Sequence, residues 1–181
     1  MVFAGPNGSG KSTISRCVKT YGLYINADDI KQSDNSLSDL DAAVEAETLR
    51  ENCLQEYRSF SFETVLSTDR NLSLIARAKK AGYFIECYYV LTADPELNLF
   101  RIKARVLNGG HNVPFDKVRE RYHKSLERIP KLISHCDRIC IIDNTKEPSV
   151  IYLKETDGHK VVSENKYWPK EKIISLVGEN I

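Results

Sequence analysis

The sequence predicts a single α/β domain, a mostly parallel sheet with helices on both faces, and three observations carry that expectation. Short β-like apolar runs alternate with segments of helical period, the pattern of strands joined by crossover helices. A glycine-rich loop stands directly between the first apolar run and the first helical segment. The length of 181 residues, with 41% apolar and 28% charged side chains, suits one core rather than a disordered chain.

In order, residues 2–4 read as the first strand, 11–21 as a helix and 23–26 as the second strand. Ala42, Ala46, Leu49, Cys53 and Tyr57 recur every three or four positions, so 40–57 is expected to be a long helix with one buried face. Residues 59–64 then form the third strand. Thr68 stands as N-cap of a helix over 69–81, with Gly82 just beyond its end, where a positive φ is cheap for glycine. A strand at 85–91 follows. Asp94-Pro95, a cap followed by proline in the first turn, starts a helix to about Leu107. Residues 108–113, with Gly109-Gly110, are expected to be a mobile connection. Phe115, Val118, Tyr122, Leu126 and Ile129 keep helical spacing up to Pro130, and 138–142 is a further buried strand. Asp157-Gly158 marks the turn of a C-terminal β-hairpin built from 150–154 and 160–163, and a helix over 169–177 closes the chain. The sequence has no internal repeat, so one domain over 1–181 is expected, with a lid region at about 101–130.

Charge and composition exclude several classes. The formal net charge of +1 lacks the basic excess of a general nucleic-acid or membrane-surface binder, so neither partner is expected. Cys17, Cys53, Cys87, Cys136 and Cys140 are odd in number and scattered without a C-x-x-C pair, which reads as buried, reduced thiols. No run of 18 apolar residues and no signal-peptide layout occurs, which predicts a cytoplasmic protein. The first strand has only three or four residues ahead of the glycine loop, which suggests a native start upstream or a trimmed N-terminus. A native-locus mass matching Met1 as the start would end that idea.

Gly5-Pro6-Asn7-Gly8-Ser9-Gly10-Lys11-Ser12 matches G-x-x-x-x-G-K-[ST] after a strand and before a helix, the context this phosphate-binding loop requires. The glycines let backbone N–H groups converge on phosphate oxygens at a helix N-terminus. Lys11 then reaches the β- and γ-phosphates, and the Ser12 hydroxyl takes a magnesium position. A P-loop NTPase that binds ATP with Mg2+ follows, with Pro6, Asn7, Gly8, Ser9, Gly10, Lys11, Ser12 and Thr13 as the nucleotide cradle.

A phosphotransferase also needs a group that positions or deprotonates the attacking hydroxyl at the carboxyl end of a strand. Asn26-Ala27-Asp28-Asp29 ends the second strand, making Asp28 and Asp29 candidates; a turn or helix cap explains the same residue types. Glu63 ends the third strand in Phe60-Ser61-Phe62-Glu63-Thr64, where it can hold a metal-bound water or a substrate hydroxyl. Arg101 and Arg105 lie four apart on one helical face and can close on the same anion, as phosphoryl transfer requires. His111 and the helix carrying Arg119, Arg121, Lys124 and Arg128 look like a lid, although such runs are more often solvated faces. Asp143-Asn144-Thr145 is the expected adenine wall.

Several of these motifs, in this order, resemble the zeta-toxin family of P-loop kinases. They are Ala4 to Thr13, Asn26-Ala27-Asp28-Asp29-Ile30, Phe62-Glu63-Thr64-Val65-Leu66-Ser67, the stretch from Arg105 to Pro114, and Arg121-Tyr122. The likeness runs from the N-terminus to about Asn144. It implies ATP at the loop, phosphorylation of a UDP-linked N-acetyl amino sugar on its 3′-hydroxyl, and an antitoxin protein as partner. By position, Asp28 resembles the catalytic base and Lys11 the phosphate lysine. Glu63 and Thr64 resemble part of the substrate side, and Arg101 or Arg105 one of two transition-state arginines. Where the longer toxins carry the second arginine, this chain has His111, which leaves that role to His111, Arg105 or Arg121. The expectation is therefore an ATP-dependent kinase of a small-molecule hydroxyl. A kinase of another metabolite or antibiotic and an ATP-binding switch with little turnover are the alternatives.

Overall fold

The computed structural model describes residues 1–34, 36–107 and 114–178. Among them the chain forms β1 (Val2–Ala4), α1 (Lys11–Cys17), β2 (Leu23–Ile25), α2 (Ala27–Ser33) and α3 (Asp39–Gln55). Then follow β3 (Phe60–Thr64), α4 (Asp69–Lys80), β4 (Glu86–Leu91), α5 (Pro95–Leu107) and α6 (Phe115–Leu126). The remainder is α7 (Ile129–His135), β5 (Arg138–Asp143), β6 (Ser149–Lys154), β7 (Lys160–Val162) and α8 (Lys170–Val177).

The strands make one sheet in the order β2-β3-β1-β4-β5-β6-β7, with β2 to β5 mutually parallel and the last two antiparallel. The apolar runs of β4 and β5 are continuous because both of their faces are covered. Cys87, Tyr89 and Leu91, with Ile139 and Ile141, face a core packed by α3, α4, α7 and α8. Val90, Cys140 and Ile142 point the other way, against Ile14 of α1. Leu99, Ile102 and Val118 form a separate small cluster that holds α5 on α6. The predicted α/β class with helices on both faces is therefore the observed one. Chain order reverses about β1, whose neighbours are β3 and β4, so a crevice opens beyond its carboxyl end.

Local expectations fail where the sheet edge or a cap outbids propensity. The first helix was expected to reach Tyr21, but it ends at Cys17 and Val18 is extended. The sheet edge claims the next residues: Tyr21 N donates to Ser61 Oγ at 3.1 Å, Ser61 Oγ donates to Tyr21 O at 2.7 Å, and Leu23 N donates to Ser59 O at 3.2 Å. Asn26 does not end a strand carrying free carboxylates. Its Oδ1 accepts from Asp28 N at 3.0 Å and caps α2, which puts Asp28 and Asp29 in that helix's first turn. Thr68 occupies an N-cap position without a side-chain cap bond. Pro130 does not stop a helix but sits in the first turn of α7, where its missing N–H has no partner to lose. Cys17 is exposed while the other four cysteines are buried, against the expectation of five buried thiols. The hairpin is as expected, with Asp157 Oδ1 accepting from His159 N at 2.8 Å in the turn. The connection at 108–113, with His111, lies outside the described residues.

Candidate active site

The phosphate loop is held from three sides. Gly5 N donates to Thr64 O of β3 at 3.1 Å, Asn98 Nδ2 of α5 donates to Asn7 O at 2.8 Å, and Asn144 Nδ2 donates to Ser9 O at 2.7 Å. Position 10 favours glycine chiefly for its backbone, and a side chain there would also push on the amide that braces Ser9. The φ of Gly10 is +99°, and a Cβ there would stand 2.2 Å from Asn144 Nδ2. Within the loop Lys11 Nζ donates to Pro6 O at 3.0 Å. Burial pushes the Lys11 ammonium down to about 8; Arg105 pushes the same way, and the Glu63 and Asp28 carboxylates oppose both. An anion bound beside the ammonium would raise that value again.

Around the loop lies an open cleft of about 570 Å³. Asn7, Gly8, Gly10, Lys11, Ser12 and Thr13 line its floor; Asp28, Glu63, Thr64, Arg101 and Arg105 line its walls. The fold thus brings together most of the residues that the sequence nominates. The cations Lys11, Arg16, Arg101 and Arg105 come from the start of α1, its later turn and α5, whereas Asp28 and Asp29 come from the first turn of α2 and Glu63 from the end of β3. One side of the cleft suits phosphate oxygens and the other a hydroxyl or a cation. Burial, reinforced by the Glu63 and Asp28 carboxylates, pushes the Asp29 carboxyl above the usual range.

Glu63 is the most heavily bonded of these carboxylates. Oε2 accepts from the Ser12 hydroxyl at 3.0 Å; Oε1 accepts from Ser15 Oγ at 3.0 Å and from Tyr24 Oη at 2.6 Å. Burial, with Glu63 close by, pushes the Tyr24 hydroxyl far above its ordinary value and keeps it a donor. Ser12 and Glu63 supply a hydroxyl and a carboxylate, oxygen donors of the kind magnesium accepts when phosphates complete its shell. Among the described residues no group of three or more His, Cys, Asp or Glu side chains could hold a metal ion alone. Thr64 is buried and its Oγ1 accepts from Leu66 N at 2.9 Å and Asn71 Nδ2 at 2.8 Å, which fixes the turn after β3.

The two arginines of α5 are not equivalent. Arg101 Nη2 donates to Asn144 O at 2.8 Å and Thr145 O at 3.3 Å, and its Nη1 is buried without a hydrogen bond. Arg105 is exposed and stands close enough to act on Lys11. Arg121 of α6 is half-buried and is not among the residues that line the cleft. Its helix turns Val118, Tyr122 and Ser125 inward instead, and Ser125 Oγ donates to Val65 O at 2.7 Å. Asn144, read as adenine wall, uses its amide to brace the loop. Asn98, Ser15, Arg16 and Tyr24 were not nominated from the sequence. A legible signal existed for Asn98 alone, since it shares a helical face with Ile102 and a buried amide in an apolar stripe needs a partner.

The profile of one protein family, described as Zeta toxin, matches residues 1–157. The chain belongs to the zeta-toxin family. Members are kinase-like phosphotransferases of the P-loop class that use ATP. A protein of Haemophilus influenzae (strain ATCC 51907 / DSM 11121 / KW20 / Rd), described only as uncharacterized, is 34% identical over 125 residues. That alignment spans 66% of this chain and 89% of the relative. Two solved structures share the fold. A chain from the PezAT chromosomal toxin–antitoxin system of Streptococcus pneumoniae aligns with a TM-score of 0.62 and 19% identity, over 84% of this chain and 69% of its own length. A chain from the crystal structure of AvrRxo1-ORF1:AvrRxo1-ORF2 with sulphate ions reaches 0.70 at 17% identity, over 98% of this chain and 63% of that one. The zeta-toxin match reaches beyond β5 through the whole of β6, further than the motif likeness alone, and stops before β7 and α8. No helix among the described residues is long and apolar enough to cross a membrane.

Proposed function

We propose that this zeta-toxin relative is an ATP-dependent kinase that transfers the γ-phosphoryl group to an alcohol hydroxyl of a small molecule. The observation that carries the reading is the single cleft in which Asp28 faces the same space as Lys11, Ser12 and Arg105. The loop backbone and Lys11 hold the β- and γ-phosphates. Ser12 and Glu63 hold magnesium, which when bound neutralises charge between the phosphates. Asp28 accepts the proton of the attacking hydroxyl, and Arg105, with Arg101 behind it, offsets charge on the transferred group. A UDP-linked N-acetyl amino sugar is the proposed acceptor, supported by the family membership. The PezAT relative's place in a toxin–antitoxin system supports an antitoxin protein as partner.

Incubation with ATP, magnesium and a panel of UDP-sugars, read by mass spectrometry, tests the proposal. The expected result is a gain of one phosphate on one member. ATP that binds but transfers to no hydroxyl compound would refute it in favour of a nucleotide-binding switch. Arg105→Ala is expected to lower kcat by about 10²-fold or more while ATP affinity falls only a few-fold, the split of a group used in the transition state. Equal losses in both would make Arg105 a binding residue.

A further inference from the structure

Three donors from two elements, α1 and β2, hold Glu63 and divide unequally between its two oxygens. Tyr24 of β2 and Ser15 of α1 both hold Oε1, and Tyr24 Oη also lies 3.1 Å from Ser15 Oγ. Oε2 receives the Ser12 hydroxyl. Neither Tyr24 nor Ser15 lines the phosphate cleft; both lie behind the carboxylate, on an adjoining hollow of about 520 Å³ that shares Ser12 and Glu63 with it. The Tyr24 ring is itself set edge-on to Phe3 of β1, with centroids 6.5 Å apart. Phe3 is fully buried, and it pairs with Glu63 in the register of β1 and β3. A glutamate side chain left to itself turns freely about its last torsion. Here two hydroxyls on one oxygen remove that freedom and leave the second oxygen aimed at the P-loop serine.

We propose that Tyr24 and Ser15 are positioning residues that clamp Glu63 Oε1, so that Oε2 is presented, with Ser12, to the magnesium ion of the bound nucleotide. The inference rests on the reading of Glu63 as a magnesium-side carboxylate given above. Residues behind a metal ligand commonly change metal affinity by about 10–100-fold when removed, because the ligand then has to be ordered on binding.

The test is calorimetry of ADP binding with and without magnesium on the full chain and on Tyr24→Phe, Ser15→Ala and Glu63→Gln. Metal-free ADP affinity is expected to stay within about twofold in Tyr24→Phe and Ser15→Ala, while the gain that magnesium confers falls by about tenfold. The magnesium concentration for half-maximal transfer should rise in parallel. Should Tyr24→Phe fail to fold, Ser15→Ala carries the same test, since it removes one hydroxyl on a helix. If Glu63→Gln loses the magnesium gain and both other variants keep it, the clamp is refuted and the reading of Glu63 stands. If Glu63→Gln keeps the gain, that reading fails and the clamp with it. An equal loss of metal-free affinity in Tyr24→Phe and Ser15→Ala would mark them as packing residues and also overturn the proposal.

Discussion

Asp28→Asn is expected to lower phosphoryl transfer by about 10²–10⁴-fold while ATP affinity stays within about threefold, the signature of a lost general base. The substitution is chosen to disturb little else. Asp28 is exposed, its backbone N–H is the group that Asn26 caps, and the side chain faces the cleft, so the amide can occupy the same space. Removing its charge also removes one of the two carboxylates that support the Lys11 ammonium, so the assay belongs near neutral pH, below the value of about 8 to which Lys11 is pushed. Single-turnover rates and equilibrium ATP binding together separate the two effects. Asp29→Asn is the necessary comparison, because Asp29 lines the same cleft in the same helical turn. If the large fall belongs to Asp29→Asn, Asp28 is not the base. Lys11→Ala, by contrast, should lose ATP binding itself.

Gly5→Ala is expected to destabilise the fold by about 3 kcal/mol or more, measured as a shift of the denaturation midpoint. Gly5 has φ of +137°, and a Cβ on it would lie 1.9 Å from the Val90 carbonyl oxygen. Neither neighbour can yield, because Val90 belongs to a central strand of the sheet and Gly5 N is simultaneously bonded to Thr64 O. In a domain of this size such a loss lowers the melting temperature by about 6–12 °C. Gly82→Ala separates backbone conformation from collision. Its φ is +88° but nothing stands within 4 Å of the new Cβ, so it should cost only about 1–2 kcal/mol. Equal costs at the two positions would show that the loop is not pressed against β4.

The architecture was legible because its signals are local and repeated: apolar runs of strand length, helical stripes, and a loop whose glycines have no other use. The positions of Lys11, Asp28, Glu63, Arg101 and Arg105 around one cleft followed once the strand ends were known, since parallel strands deliver their carboxyl ends to the same edge. What escaped detection depends on partners distant in sequence. The early end of α1 is decided by bonds between Tyr21 and Ser61, forty residues away. Likewise α2 exists because the Asn26 side chain caps it, and Asx residues at a strand end allow a turn equally well. Tyr24 looked like any strand aromatic; its hydroxyl gains meaning only when Glu63 arrives 2.6 Å away. The amide of Asn144 is likewise 135 residues from the carbonyl it braces.

The fastening of α5 bears on how the enzyme can move. Its first turns are riveted to the phosphate loop through Asn98, and one turn later Arg101 is tied to the carbonyls that follow β5. The helix is therefore a lever with a fixed foot. Swinging it as a whole means tearing those bonds or dragging the nucleotide cradle along. Beyond Arg101, the part that carries Arg105 is held by a different set of contacts, the packing of Ile102 and Val106 against Val118 of α6. On the proposed roles, any approach of Arg105 to a bound phosphate would have to carry α6 along with the tip of α5, while the foot of the helix stays on the floor of the cleft.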